Sequence, residues 1–568
     1  MARAHPKNTR FEIFLNDAVR ELAFHQPVAA SIAGLHELDA HLDDLTPQGL
    51  AHHFAAVGRL RRALERFDRP LAPGQMLDRL LLSSKLDALA HLLETVRPWA
   101  WNPDYWTETA GEGVNALIAH HSGDPPARLL ACVARLEEIP HLLTTARRQL
   151  ANPPRALVTV AEENAAGAVS FYADVVPRAF PQVRARALRR KLEEASARAA
   201  EAAKTFAAYL HEKKSHASGH VGIGEAALAK KLALDEMLAS PPSKLAAHAR
   251  AELQRLRSRC DELAALAAKG RARGAAEVLR HLATDRPGPR AVLGEVEYVL
   301  SELERFCRDA ELVTIPSGAR CEVQPMPAYL TAMTVAAMDV PGPFDPEATE
   351  AKYLVTLPTP SWSKADREAA LSFFNRSQVH WVTAHEAFPG HLVQLFSLRT
   401  CSSPVRRFFG TDSFIEGWAH YAEGLIFEAG YHGGEAALLL SKEHGALLRA
   451  ARCVASLELH ARQMTLAQAA TFLEKEGLFP KPLARSEALR CAVDFSCPAY
   501  TLGRLELERL RSDARAAWGE RFSVRRFHDA VMAEGQLPLP LLRAAVLPTA
   551  AASSVRRVDF SDGEPPPR

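Results

Sequence analysis

The chain has 568 residues, and its 69 basic and 67 acidic side chains leave a net charge of only +2. Such a balance gives no reason to expect a nucleic acid or a membrane surface as a partner. The length exceeds that of an ordinary domain, but no low-complexity or Ser/Gly-rich linker divides the sequence, which favours one large body of two lobes.

The N-terminal sequence and the cysteines bear on the cellular compartment. The first residues lack the apolar core of a secretory signal peptide, and no run of about 18 apolar residues occurs that could span a membrane. The eight cysteines form no C-x-x-C pair, which fits reduced thiols better than a disulfide or zinc framework. We therefore expect a cytoplasmic protein.

The N-terminal half is rich in Ala and Leu at helical spacing. Apolar residues recur at intervals of three and four between residues 10 and 150, and Pro-containing turns separate the segments. Residues 184–211 and 244–269 continue this pattern without a strict heptad repeat, which disfavours a coiled-coil rod. The sequence therefore predicts a mostly α protein in which residues 1–310 form an N-terminal helical lobe.

Residues 310–357 differ in character, because they are rich in Pro and in β-prone residues. They predict two or three short strands, with residues 312–315 and 353–357 as candidates, in a small sheet near the active site. The sheet edge could hold an extended peptide by strand addition, or the segment could be a connector only. Residues 311–547 are predicted to form the second lobe, across a deep cleft from the first, and residues 548–568 a disordered tail.

The strongest chemical signal is VHWVTAHEAFPGHLVQLFSLR at residues 379–399, which places two imidazoles and a carboxylate in an apolar run. Metal-dependent hydrolysis uses neutral imidazoles to hold Zn²⁺ and an adjacent Glu to take a proton from water. His385, Glu386 and His391 are candidates for these roles. Core histidines are the structural alternative, but a buried Glu386 between them is easier to explain beside a metal.

The spacing of the two histidines departs from the H-E-x-x-H motif, in which they lie four residues apart on one helical face. His391 follows His385 by six residues, and on a straight helix this places them roughly 120° apart. Pro389 has no N–H to donate to the carbonyl of His385, and Gly390 tolerates unusual backbone angles. We therefore predict a bulge or break at Pro389 and Gly390 that brings the imidazoles together.

A second group of polar side chains lies in EGWAHYAEG, residues 416–424. Glu416, His420 and Glu423 share one face of an otherwise apolar helix, so they must be solvated, paired or bound to something. Glu416 could be a third metal ligand, or it could complete an S-x-x-E capping box with Ser413. His420 and Glu423 are candidates for holding the ligand imidazoles in the tautomer that binds a metal.

HEAFPGHLVQ together with EGWAHYAEG resembles the signature of the bacterial family called domain of unknown function 885. The resemblance extends to CPAYTLGRLELERLR at residues 497–511 and weakly to GHVGIGEAALAKKL at residues 219–232, so it covers more than half of the chain. That family is regarded as distantly related to zinc peptidases with a Glu third ligand, such as thermostable carboxypeptidases and thimet-type oligopeptidases. The resemblance therefore favours Glu416 as a ligand and implies one Zn²⁺ per chain.

The same resemblance assigns Tyr500 as the donor of a hydrogen bond to the oxyanion on the attacked carbonyl, with a helix-packing role as the alternative. Arg504, one turn further on, could bind a substrate carboxylate. These assignments predict a zinc metallopeptidase that hydrolyses short or unfolded peptides, with Glu386 activating the water. The alternatives are a metal-dependent amidohydrolase acting on a non-peptide amide, and a catalytically inactive relative that binds peptide or metal.

Overall fold

The structure, a computed structural model, describes residues 9–67, 70–119, 123–269, 274–326, 335–345, 348–358 and 362–547. These residues are mostly α-helical, with one small sheet, as the sequence predicts. The chain divides into two compact units, the first comprising Met1–Val221, Pro341–Thr349 and Ser402–Phe409, the second Gly222–Val340, Glu350–Cys401 and Gly410–Arg568. The predicted tail, residues 548–568, lies outside the described residues.

The first unit is built mainly from the N-terminal helices. These are α1 Thr9–His25, α2 Pro27–Ala33, α3 Pro47–Glu65, α4 Pro73–His91, α5 Pro98–Trp101, α6 Asp104–Ala119, α7 Pro125–Gln149, α8 Arg155–Ser170 and α9 Arg186–Lys214. A side-chain oxygen caps some of them: Thr46 accepts a hydrogen bond at the start of α3, and Asp124 does so at α7. The long α9 packs against α7 and α8.

The second unit contains most of the remaining helices. In chain order these are α10 Glu225–Asp235, α11 Pro242–Ala267, α12 Ala275–Leu282, α13 Val292–Asp309, α14 Lys364–Phe373, α15 Gln378–Glu386, α16 His391–Leu398, α17 Pro404–Phe408, α18 Asp412–Glu428, α19 Ala436–His460, α20 Leu466–Glu476, α21 Lys481–Val493, α22 Cys497–Trp518, α23 Val524–Ala533 and α24 Leu539–Val546. Of these, α17 belongs to the first unit. None of the described helices is both long and apolar enough to cross a membrane.

The predicted domain boundary at residue 310 falls inside the second unit. The reason is the packing of the helices before it, since α11 and α12 contact α19, and α13 contacts α15. Helices α10 to α13 therefore belong with the C-terminal part of the chain. Within this unit α18 packs along α22, and the two helices cross at Gly417 and Gly503, where a Cβ on Gly417 would lie 2.6 Å from the Cα of Gly503.

The small sheet also lies in the second unit and contains β1 Arg320–Pro325, β2 Ala336–Asp339 and β3 Glu350–Val355. The central strand is β3, which pairs in parallel with β1 and antiparallel with β2. Tyr353 of β3 is fully buried, and its hydroxyl lies 3.4 Å from Thr383 Oγ1 on α15. The predicted sheet near the candidate site is therefore confirmed, with β3 close to the predicted 353–357.

The strand predicted at residues 312–315 is wrong. Leu312 and Val313 are buried, as the residues of a strand would be. The backbone of this segment, however, forms hydrogen bonds with side chains of a helix and not with another strand. His528 Nδ1 on α23 contacts the Leu312 carbonyl O at 2.6 Å, and Asp529 accepts hydrogen bonds from both Thr314 N and Thr314 Oγ1. Side chains thus satisfy the backbone groups that a sheet would have paired.

Candidate metal centre

The first structural feature of the site is the break between α15 and α16, where the sequence predicts one. Helix α15 ends at Glu386, and α16 begins at His391 behind Gly390. A Cβ on Gly390 would lie 1.8 Å from the His385 carbonyl O, so only glycine fits at this position. The prediction of a break at Pro389 and Gly390 is confirmed, and it turns His391 back toward His385.

The break brings the two imidazoles together. The ring centroids of His385 and His391 are 4.8 Å apart, and the rings are nearly perpendicular. Both residues are buried, with exposures of 6% and 9%. Glu416, from α18, reaches the same point: its Oε2 lies 3.6 Å from His385 Nε2 and 3.5 Å from His391 Nε2. The three side chains that the sequence singled out as ligands therefore form one cluster.

The alternative role of Glu416 in a capping box is wrong. Helix α18 begins at Asp412 behind Thr411, so Ser413 is already inside the helix and is not its N-cap. The Ser413 N–H donates to Glu236 Oε2, a carboxylate from the end of α10, at 3.1 Å. Glu416 Oε2 is buried and, among the described residues, has no hydrogen-bond partner. Its oxygen is thus free to face the two imidazoles.

In this cluster, ion pairs and burial shift the pKa values of the side chains in opposite directions. Burial lowers the pKa of His385, but its contacts with the Glu416 and Glu423 carboxylates outweigh this and raise the pKa to about 9. Burial raises the pKa of Glu416, but the charge of His391 and the contacts with both imidazoles hold it well below its usual range. The site therefore stabilises positive charge beside an ionised Glu416.

Glu423 contacts the other nitrogen of His385. Its Oε1 lies 2.8 Å from His385 Nδ1, and the Arg449 guanidinium of α19 pairs with the same oxygen at 2.8 Å. An acceptor at Nδ1 orients the ring and leaves the Nε2 lone pair of a neutral imidazole for a metal. Glu423 is thus placed as the sequence predicts for a residue that holds a ligand imidazole.

His420 has a different neighbour from the one predicted. Its Nδ1 lies 3.1 Å from the backbone carbonyl O of Tyr500, so it contacts α22 and is not shown holding a ligand imidazole. Burial, and then the charges of Arg449 and Arg504, lower the pKa of His420 well below its usual range. A neutral Nδ1–H therefore donates to this carbonyl and fixes the start of α22.

Tyr500 lies beside the cluster. Its ring stacks on that of His385 with centroids 6.3 Å apart and an angle of 10° between the ring planes. Burial, and then the charge of Glu416, raise the pKa of its phenol well above the ordinary value, so the hydroxyl remains a donor at neutral pH.

Glu386 is also buried, with 8% exposure. The pKa of Tyr353 is raised by burial and, in addition, by the negative charge of Glu386.

Arg504 does not join these residues. It is buried and pairs with Glu252 and, at 2.6 Å, with Glu508, so two carboxylates already occupy its guanidinium. Arg490 of α21 lies close to the Tyr500 hydroxyl, with its Nη2 3.5 Å away. Arg490 is 29% exposed, and its Nε lies 3.5 Å from Asp494 Oδ2.

Sequence reasoning missed Arg449 and Arg490. Both lie in Ala-rich helices outside the recognised motifs, and neither has a local spacing that singles it out. Arg449 also lies over two rings, 5.2 Å from that of Trp381 and 5.6 Å from that of Tyr500. Only the tertiary contact with Glu423 identifies it as part of the site.

The fold is shared with solved structures, among them the following two. One is described as a "putative lipoprotein of unknown function" from Shewanella oneidensis; it has a TM-score of 0.77 and 23% identity, covering 94% of this chain and 99% of that chain. The other, a "putative lipoprotein" from Colwellia psychrerythraea, has a TM-score of 0.80 and 16% identity, covering 94% and 98%. At such identities the likeness shows the fold alone. No curated protein matches the chain.

The sequence profile of one family spans both the motifs and most of the remaining chain. It is described as bacterial protein of unknown function (DUF885), and it matches residues 27–546. The match includes the break, the three clustered side chains and Tyr500, and it extends well beyond the C-terminal part that the motifs alone cover. The resemblance drawn from those motifs is therefore confirmed, and the chain belongs to the DUF885 family.

Proposed function

We propose that this protein is a zinc-dependent peptidase that hydrolyses short or unfolded peptides with His385, His391 and Glu416 as the metal ligands. The observation that carries the proposal is the convergence of two imidazole nitrogens on one buried carboxylate oxygen that has no hydrogen-bond partner among the described residues. Leaving such an oxygen buried and unsatisfied costs free energy, and a bound cation would offset that cost.

The separations between these atoms suit a metal. Tetrahedral Zn²⁺ with bonds of about 2.0–2.1 Å holds its ligand atoms about 3.3 Å apart. The two measured separations, 3.6 and 3.5 Å, are close to that value and too long for good hydrogen bonds. Two imidazoles and one carboxylate are also the donor set of catalytic zinc sites that keep one position open.

A zinc ion held there would make a water more acidic and would polarise a substrate carbonyl. Glu386 directly follows the ligand His385 and is buried beside it, so its carboxylate is the base that we assign to accept the proton of the attacking water. The Tyr500 hydroxyl, protonated at neutral pH, then donates to the oxyanion as charge develops on the attacked carbonyl.

The burial of these residues limits the substrate. His385 and Glu386 are at most 8% exposed, so only a chain that can enter as an extended segment reaches them. Arg490, which lies beside the Tyr500 hydroxyl and is 29% exposed, replaces Arg504 as our candidate for binding a substrate carboxylate. We therefore favour peptides with a free C-terminus as substrates.

The experiment combines metal analysis with digestion of a peptide library. Wild-type protein should contain a zinc ion that depends on His385 and His391, and it should cleave peptides. Glu386→Gln should keep that zinc and lose hydrolysis, because the amide cannot accept the proton. Glu428→Gln, the same substitution at a more exposed carboxylate on α18, is the control and should behave as wild type.

The other outcomes separate the rival functions. Zinc with hydrolysis of non-peptide amides alone would replace the peptidase by an amidohydrolase. Zinc or peptide binding without any turnover would indicate an inactive relative. A wild-type protein whose metal content is unchanged by His385→Ala and His391→Ala would overturn the ligand assignment itself.

The cytoplasmic location stays a prediction. Each of the two similar structures named above is described as a "putative lipoprotein", a description that gives no support to a cytoplasmic location. Fractionation of cells that produce the full-length chain tests the prediction, and recovery of the protein with the membranes would contradict it.

A further inference from the structure

A second cluster of side chains that could hold a metal ion lies elsewhere in the same unit. Glu302 of α13, His380 of α15 and His432 of the 3₁₀ turn Tyr431–Gly434 each offer one ligand atom, and these atoms lie within 4.8 Å of one another. The rings of His380 and His432 are 4.9 Å apart. His432 Nε2 lies 3.2 Å from Glu302 Oε1. Three elements far apart in sequence thus meet here with two imidazoles and a carboxylate.

The phenol of Tyr431 organises this group. Its hydroxyl donates to Glu302 Oε2 at 3.0 Å, and the phenol oxygen also lies 2.9 Å from His380 Nδ1. Because the single phenolic proton is directed to Glu302, Nδ1–H of His380 must be the donor in the second contact. The lone pair of neutral His380 is then at Nε2, and Glu302 Oε1 is left to face His432. Hydrogen bonds of this kind orient the ligands of metal sites.

The side of the cluster that carries Glu302 and His432 is open to solvent. Glu302, Tyr431 and His432 line a surface pocket of about 320 Å³. Burial, and then the charge of His432, lower the pKa of His380 to about 4, so this ring is neutral at physiological pH. His432 has a left-handed backbone, with φ of 49°, a conformation rare in non-glycine residues that is found at functional sites.

We propose that Glu302, His380 and His432 form a second site for a divalent transition metal of the zinc class, separate from the site at His385. Two imidazoles and one carboxylate suit Zn²⁺, Co²⁺ or Ni²⁺, whereas Ca²⁺ and Mg²⁺ prefer oxygen ligands alone. Glu302 and His432 line the pocket, so water or an external ligand could reach a metal held there. The proposal concerns metal binding only and does not depend on peptidase activity.

The test counts zinc in full-length protein dialysed against Zn²⁺ at buffered free concentrations. A variant carrying both His385→Ala and His391→Ala lacks the first site, so any remaining ion reports the second site alone. We expect this variant to bind one zinc per chain. Adding His432→Asn or, separately, Glu302→Gln should weaken that binding by at least about 100-fold, above the usual effect of losing a group that only orients a ligand.

The substitutions are chosen to keep the fold. Asn tolerates the left-handed backbone at His432, and unchanged thermal unfolding of metal-free His432→Asn would show that the turn persists. His281→Asn, at an exposed histidine on α12, is the matched control and should leave the zinc count unchanged. Tyr431→Phe removes the phenol but none of the three ligands, so the second zinc should remain, with lower affinity.

Two results would overturn the proposal. One is a variant lacking the first site that binds no zinc even though it is folded. The other is a zinc count that His432→Asn and Glu302→Gln leave unchanged, which would assign the bound ion to other residues and the cluster to a hydrogen-bond network around Tyr431. Loss of peptidase activity in the first-site variant bears on the proposed function alone.

Discussion

Removing the charge of Glu423 tests how the site at His385 would hold its metal. Glu423 is fully buried, and its carboxylate contacts His385 Nδ1 and Arg449 Nη2, each at 2.8 Å. Glu423→Gln keeps the shape of the side chain but removes its charge. We expect the zinc affinity to fall roughly 10- to 100-fold, the usual effect of losing a group that orients a ligand imidazole.

The same substitution should also destabilise the fold. It leaves the buried Arg449 guanidinium without its ionised partner, and breaking a buried ion pair from one side costs about 3–5 kcal/mol of unfolding free energy. The amide oxygen of Gln still accepts a hydrogen bond, so we expect a loss of about 3 kcal/mol. Denaturant unfolding of the metal-free protein measures this loss.

A double variant separates the two effects. Glu423→Gln with Arg449→Met removes both charges, and Met retains an apolar contact with the Trp381 and Tyr500 rings. Stability should then recover in part, because no unpaired charge remains buried, while the zinc affinity should stay low. If Glu423→Gln bound zinc as tightly as wild type and lost only stability, Glu423 would be a counterion for Arg449 with no role at the metal.

Three further predictions concern the reaction and its pH dependence. Tyr500→Phe should lower kcat roughly 100-fold in steady-state assays with KM and metal content unchanged, whereas near-normal kcat with a lower melting temperature would leave Tyr500 a packing role. Arg490→Met should raise KM for peptides with a free C-terminus but not for their amides, and an equal effect on both would exclude a carboxylate contact. In the metal-free protein the pKa of His385 is raised from 6.5 to about 9, so its contribution to stability is present below pH 6.5 and lost as the pH rises through 9. Zinc binding at pH 7 should therefore release about one proton from His385, measurable by calorimetry in buffers of different ionisation enthalpy, and no release would contradict the raised pKa.

Features of the fold and the site that depend on neighbouring residues could be predicted from the sequence. Pro389 and Gly390 occupy the positions at which an unbroken helix would keep His385 and His391 apart, so the break and the approach of the rings could both be predicted from nearby residues. The helical character of most of the chain likewise follows from local apolar periodicity. Strand β3 lies close to the predicted residues 353–357, because β-prone composition is also a local signal.

Features that depend on contacts with residues distant in the sequence could not be predicted from it. The role of Glu416 depended on where α18 begins, and Glu236, 177 residues before Ser413, bonds the first turn of that helix. The segment after α13 has the apolar residues of a strand, but His528 and Asp529 bond its backbone. Arg504 is another case, because one of the two carboxylates that pair with it, Glu252 on α11, comes from tertiary packing.

The crossing of α18 and α22 offers a last test, because it joins the two halves of the site without touching a ligand. Gly417 follows the proposed ligand Glu416, and Gly503 lies three residues after Tyr500. A Cβ on Gly503 would lie 2.0 Å from the Ser413 carbonyl O, well inside ordinary contact distance, so Gly503→Ala must push the helices apart.

We expect Gly503→Ala to lower the melting temperature, as overpacking costs about 1–3 kcal/mol, and to weaken zinc binding because Glu416 moves with its helix. Gly424→Ala, on the same α18, is the matched control: its Cβ would meet nothing closer than Lys442 Nζ at 3.6 Å. Alanine is favoured over glycine inside a helix by about 1 kcal/mol, so this control should be as stable as wild type or more so. If folded Gly503→Ala retained wild-type zinc affinity, the position of Glu416 would be set by α18 alone, and the contact between the two helices would have no part in assembling the metal site.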